Sequence, residues 1–312
     1  MSILLDIVIP VFGLVGIGYV AALLRLFDAE RLKGLSYFAF GFAIPALLLR
    51  SMARMELEGQ VAWPFLLSYY IGTFAVFAIG LAVARIAFGR TLREAAIAGM
   101  ASSYSNTVLL GIPLLLTVFG ERASLPVFLL IAFHSLLIFP TVTTVLELGR
   151  GASEHLRHIP LSTLRGLVRN PILVGLGVGL LINMAGVALP ETVDSLLQTL
   201  GRAAVPCALF AMGASLHGYG VVGEKAQIGA LVSLKLLVHP FAVWLLASQV
   251  FALDPLWMNV AVVMAALPAG VNVYVMAENY GAAAQAAAGT VLLGTATAVA
   301  SISGLLFVLG PQ

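Results

Sequence analysis

The sequence predicts an all-α polytopic membrane protein made of two inverted five-helix repeats, with the fourth and ninth transmembrane helices broken near their middles. Three observations carry this. Of 312 residues, 61% are hydrophobic and 10% charged, and the mean hydropathy of +1.06 lies far above that of a soluble domain. The offset that takes Pro10 to Pro171, 161 residues, also takes Gly16 to Gly177, Gly18 to Gly179, Pro45 to Pro206, and the pair Phe119, Gly120 to Tyr280, Gly281. Two otherwise apolar stretches, Ser102 to Gly120 and Met264 to Gly281, carry Asn, Gly and Pro at mid-span.

A helix crossing the hydrocarbon core needs about 20 apolar residues. Segments of that kind stand at 5–24, 35–52, 62–87, 93–118 and 124–146, then at 168–188, 194–215, 227–250, 256–279 and 283–309. Span 1 has no basic stretch before it and no small-residue cleavage site after it, so it reads as a membrane span and not as a signal peptide. Span 2 holds Pro45, span 4 is interrupted by Asn106, Gly111 and Pro113, and span 5 contains His134. The longest hydrophilic connection, Glu147 to Arg169, divides the chain into a first repeat at 1–146, a linker at 147–167 and a second repeat at 168–312. Spans 6 and 7 repeat the glycines and proline of spans 1 and 2, span 8 holds Lys235 and His239, and span 9 is interrupted by Pro268, Gly270 and Asn272. Each repeat has an odd number of spans, so the second enters the membrane from the opposite side.

Loop charge sets the orientation. Loops after odd-numbered spans hold Arg25, Arg31, Lys33, Arg85, Arg90, Arg93, Arg150, Arg157, Arg165, Arg169 and Lys225, whereas the other face holds Arg50, Arg54 and Arg122. The odd loops and the linker are therefore expected in the cytoplasm, with both termini outside a cytoplasmic membrane. Arg202 reads as part of an external amphipathic lead-in to span 7.

Interrupting a helix in lipid frees backbone polar groups that each cost several kcal/mol unless protein or a wet cavity satisfies them. Under the repeat, spans 4 and 9 are mates and are expected to cross near the midplane, where discontinuous helices build the sites of inverted-repeat transporters. Two half-helix N-termini there favour an anion. Asn106 and Asn272 each offer an amide donor without a full charge, and Pro113 fits the start of a half-helix, where its missing N–H costs little. A single Asn in such a span is often interhelical glue, but two interrupted spans paired by a repeat favour a site. His134 reads as a substrate contact or a packing histidine, and His239, before Pro240, as filling the gap left by a kink. Lys235 lies about 12 Å along span 8 from its cytoplasmic end and reads either as a fixed counter-charge beside the crossing or as a snorkelling side chain.

Absences narrow the function. Acidic residues fall in loops or near span ends, Glu278 being nearest the crossing, so the buried acids of a sodium/proton antiporter relay are missing. No phosphate-binding GxxxxGK[ST], metal-ligand spacing or catalytic pair occurs, so no enzyme, cofactor or metal is expected. The net charge of +2 gives no case for nucleic acid as partner, and the lone Cys207 forms no intramolecular disulfide.

SNTVLLGIPLLLTVFGE, from Ser105 to Glu121, resembles the fourth-helix signature of the auxin efflux carrier family, which holds plant auxin carriers and bacterial carriers of malate or malonate type. LPAGVNVYVMAENYG, from Leu267, is similar to the ninth-helix counterpart, and IPVFGLVGIGY and AVPCALFAMGASL extend the likeness along the chain. The resemblance implies a broken-helix fold like that of sodium/proton antiporters and bile-acid symporters. It implies a scaffold from spans 1, 2, 6 and 7, a transport domain from spans 3–5 and 8–10, and elevator-type alternating access. It also implies an organic-anion site in which Asn106 contacts substrate and His134 faces it. Plant members carry proline where this chain has Val273.

The expected protein is a carrier of a small mono- or dicarboxylate across the lipid bilayer, forming a homodimer. Its site is expected from Ser105, Asn106, Thr107, Gly111, Pro113, His134, Pro268, Gly270, Val271 and Asn272, with Lys235 for charge compensation. The missing acidic relay favours uniport or exchange. A sodium-coupled symporter, an anion channel and a non-transporting sensor are the alternatives.

Overall fold

A computed structural model describes residues 9–55, 62–150, 169–219 and 225–309. Among them every regular element is helical, apart from an isolated antiparallel bridge between Ser105 and Ala269. Six helical runs are long and apolar enough to cross a membrane: Ala29–Ala53, Trp63–Ile86, Glu121–Leu148, Glu191–Leu216, Lys225–Val250 and Ala284–Leu309. Shorter apolar helices, Ile9–Leu23, Thr107–Phe119, Pro171–Met184 and Pro255–Ala266, stand where the sequence places spans 1, 4, 6 and 9. The chain is a polytopic helical membrane protein. Residues 1–8 and 151–168 lie outside the described residues, and with them the start of span 1, most of the expected linker, and Arg157 and Arg165.

In chain order the helices are α1 (Ile9–Leu23), α2 (Ala29–Phe38), α3 (Ile44–Ala53), α4 (Trp63–Ile86), α5 (Leu92–Ser103), α6 (Ile112–Phe119), α7 (Ser124–Leu148), α8 (Pro171–Met184), α9 (Glu191–Arg202), α10 (Ala204–Leu216), α11 (Lys225–Ser233), α12 (His239–Leu245), α13 (Pro255–Ala266), α14 (Asn272–Tyr280) and α15 (Ala284–Leu309). Wide π-turns at Ala39–Ala43, Thr107–Gly111 and Leu234–Val238 each end two residues before a proline: Pro45, Pro113 and Pro240. Proline lacks an N–H and its ring collides with the carbonyl four residues back. A widened turn relieves that clash while the next donors reach five residues back, as Ile44 N–H does to Ala39 and His239 N–H to Leu234.

Two compact units emerge. The first comprises Met1–Val61, Ile112–Ala132 and Ser162–Gly218. Within it α1 packs along α10 and α3 along α8. Both contacts need glycine, because a Cβ at Gly18 would strike the carbonyl oxygen of Phe210, and one at Gly179 that of Leu49. The lead-in to span 7 is a separate helix, α9, ending at Arg202; its Asp194 accepts from Arg50 Nε at 2.9 Å and from Arg54 Nη1 at 3.0 Å. Asn183 Nδ2 donates to the carbonyls of Met52 at 3.0 Å and Met55 at 2.5 Å, capping the end of α3.

The second unit comprises Ala62–Gly111, Phe133–Leu161 and Tyr219–Gln312. Here α4 packs along α5 and against α12 and α13, and α15 packs on α11, α13 and α14. Thr91 begins α5 with a capping box, its hydroxyl accepting from Glu94 N–H while the Glu94 carboxylate accepts from Thr91 N–H. Arg93 donates to the Tyr280 carbonyl, and Arg150 stacks over the Tyr280 ring at 4.9 Å.

Candidate functional site

The second unit holds both breaks, which meet at the Ser105–Ala269 bridge. Helix α5 ends where Ser102 and Ser103 turn their hydroxyls back onto the carbonyl of Gly99, at 2.9 and 2.8 Å, competing with the helical ladder. Tyr104 is then extended, with φ −80° and ψ 110°. Helix α13 ends at Leu267, at φ −61° and ψ 149°, because the residue before a proline is driven out of the helical region and Pro268 follows. The two extended pieces run antiparallel. Asn106 N–H donates to the Pro268 carbonyl at 3.0 Å, and Gly270 N–H to the Tyr104 carbonyl at 3.0 Å. Each break thereby satisfies groups that the other leaves open. Gly270 is required at this approach, since a Cβ there would lie 2.8 Å from the Tyr104 ring and 3.2 Å from the Ser105 carbonyl oxygen.

Side chains converge on Ser105. Its hydroxyl receives Tyr69 OH at 3.2 Å, and its N–H donates to His134 Nε2 at 3.1 Å. With Nε2 accepting, the neutral imidazole carries its proton on Nδ1. That Nδ1 is buried and has no hydrogen-bond partner among the described residues. The His134 ring lies 4.5 Å from the Tyr104 ring and is 1% exposed. Asn272 Nδ2 donates to Tyr104 OH at 3.0 Å, and Tyr104 OH meets Ser135 Oγ at 3.1 Å.

A second chain of contacts reaches into span 8. Lys235 Nζ donates to the Ala265 carbonyl at 2.6 Å and meets His239 Nδ1 at 3.2 Å. Thr73 Oγ1 spends its proton on the Tyr69 carbonyl at 2.8 Å, so His239 Nε2–H donates to Thr73 Oγ1 at 3.0 Å and Nδ1 is left to accept from Lys235. Lys235 is 1% exposed. It does not snorkel, because its ammonium is held by the last turn of α13. His239 likewise does more than fill a kink.

Ser105, Asn106, Thr107, Gly111, His134, Lys235, Pro268, Gly270, Val271 and Asn272 all belong to this unit, and Asn106 and Thr107 are each 4% exposed. Gly111 meets the second break, a Cβ there lying 3.0 Å from Leu267 Cδ1 and from Met264 Sδ. Pro113 is the second residue of α6, directly after the π-turn Thr107–Gly111, at a helix start where its missing N–H costs little; α6 is counted in the first unit. Tyr69, Tyr70 and Thr73 on α4, together with Tyr104 and Ser135, were not singled out by sequence. Their only signal was three polar-tipped residues at helical spacing, 69, 70 and 73, in an apolar span. Among the described residues no group of three or more His, Cys, Asp or Glu side chains is placed to hold a metal ion.

The family described as "Membrane transport protein" matches residues 3–306. The chain belongs to this family, that of the auxin efflux carriers. It is 31% identical, over 99% of its length and 97% of the relative's, to a Rhizobium meliloti (strain 1021) protein named "Putative malonate transporter". It is 24% identical to "Auxin efflux carrier component 8" of Arabidopsis thaliana, over 87% of this chain and 88% of that one. It is also 27% identical to "Lysosomal cholesterol signaling protein" of Mus musculus, over 73% of this chain but 28% of the relative. The chain is a membrane transport protein.

Proposed function

We propose that this transporter carries a small dicarboxylate of the malonate class by alternating access, binding it where the two broken spans cross. The observation that carries this is the crossing itself: Asn106 and Gly270 paired back to back with Pro268 and Tyr104, leaving half-helices that begin at Thr107 and Asn272. Helix N-termini carry about half a unit of positive charge and N–H groups with no helical acceptor. An anion supplies those acceptors. The Asn106 and Asn272 amides add neutral donors, as does the Nδ1–H of His134, which has no partner among the described residues, and Lys235 provides positive charge in the same unit. Malonate is chosen from the name of the Rhizobium meliloti relative.

The repeat supports an elevator-type mechanism with spans 3–5 and 8–10 as the transport domain and spans 1, 2, 6 and 7 as a dimerising scaffold. Gly18 against Phe210 and Gly179 against Leu49 are mates under the 161-residue offset, as expected of a two-fold relation between inverted repeats. The loop charges favour both termini outside a cytoplasmic membrane.

Purified protein in proteoliposomes is expected to take up labelled malonate with saturation and to exchange it for unlabelled malonate inside. Non-saturating uptake with unitary currents would make it a channel, and binding without flux a sensor.

A further inference from the structure

We propose that Lys235 is a tethered cation occupying the place of a coupling ion at the C-terminal end of α13, so that the transporter moves its anion without sodium. This rests on the carrier reading for its meaning in transport, but its geometry stands apart from the anion. Helix α13 stops at Ala266, so the carbonyl of Ala265 belongs to the last turn, where the helix dipole is negative and carbonyls lack helical donors. In inverted-repeat carriers, such half-helix C-termini and unwound carbonyls are what coordinate a co-transported cation. Here a side chain of the same protein is already there. Lys235 Nζ donates to Ala265 O at 2.6 Å, a short contact, and its second contact is His239 Nδ1 at 3.2 Å.

The surroundings fit a cation held by dipoles and not by a carboxylate. Among the described residues Lys235 makes no ion pair, so its charge is answered by the Ala265 carbonyl and by a histidine nitrogen. The histidine is fixed as acceptor from behind, because Thr73 takes its Nε2–H and passes a hydrogen bond to the Tyr69 carbonyl. The donor set around Nζ, one backbone oxygen and one imidazole nitrogen, accepts and does not donate. A mobile sodium ion and the ammonium would compete for the same oxygen, and the tethered charge, with no translational entropy to lose, prevails.

The test is thermal melting of the purified protein at equal ionic strength in choline, sodium or ethylammonium chloride, with no organic anion present. Wild type is expected to melt at the same temperature in all three. Lys235→Ala is expected to melt several degrees lower in choline and to recover in ethylammonium, which restores an ammonium to the vacated space, with sodium recovering a smaller part; ethanol at the same concentration should do nothing. Lys235→Met, which fills the space without charge, is expected to melt low and not to respond to ethylammonium. Stabilisation of wild type by sodium over choline would overturn the proposal. So would a Lys235→Met protein as stable as wild type, or a Lys235→Ala protein that no cation recovers. These melts stand whether or not malonate proves to be the substrate, and a failure to bind malonate leaves them intact.

Discussion

The α1–α10 and α3–α8 contacts of the first unit and the crossing of the second use the same residue types for opposite ends. In the first unit glycines let intact helices touch backbone to backbone, at Gly18 and Gly179, while the helical hydrogen bonds run on. At the crossing, glycine lets two interrupted chains touch, and the freed backbone groups pair with each other between Tyr104, Asn106, Pro268 and Gly270. The second place gathers a connected set of polar side chains, Tyr69, Ser105, His134, Asn272 and, one layer away, Lys235, His239 and Thr73, where the α3–α8 contact has Asn183 at its end. Gly and Pro in a membrane span therefore mark close packing. A break marks a place that must be made polar.

That difference can be broken from either side. The largest effect is expected at Asn106. Replacing it by Ala removes an amide but keeps the backbone bond to Pro268, so malonate binding should weaken by about 10- to 100-fold, the worth of a hydrogen bond to a charged group. Gly18→Val should do the reverse: overpacking against the Phe210 carbonyl should cost about 1–3 kcal/mol of stability, read as a lower melting temperature, with malonate affinity of the folded fraction unchanged. Tyr69→Phe deletes the donor to Ser105 Oγ and should cost about 0.5–1.5 kcal/mol, with a few-fold loss of affinity. Arg50→Ala, which removes a partly exposed partner of Asp194 in the first unit, should change melting least and binding not at all. A large binding defect in Gly18→Val or Arg50→Ala would erase the distinction between the two regions.

Much of this was readable from residues alone. Pro268 and Pro113 announced that spans 4 and 9 are irregular, because a missing N–H has a local consequence wherever it sits. Asn106, His134, Lys235 and Asn272 were visible as polar groups in apolar surroundings, and they fall in one unit. Two things were not readable. The first is the width of the turn at Thr107–Gly111, ahead of α6 and Pro113, which lies in the backbone geometry and not in any one residue type. Tyr69, Tyr104 and Thr73 looked like ordinary span residues, since a tyrosine in an apolar helix is spent on packing unless its hydroxyl meets a partner from another helix. Those partners, Ser105, Asn272 and His239, come from distant segments that only the crossing brings near.

The most direct measurement is ligand-dependent thermal stabilisation of purified wild type and Asn106→Ala across malonate, malate, succinate and acetate. A ligand at 100 times its dissociation constant stabilises a fold that alone binds it by about 2.7 kcal/mol, which is readily seen as a shift in melting temperature. A shift with malonate is expected in wild type, and Asn106→Ala is expected to lose it under the same conditions. An equal shift in both proteins would place the anion away from the crossing, and no shift with any carboxylate would contradict the anion site.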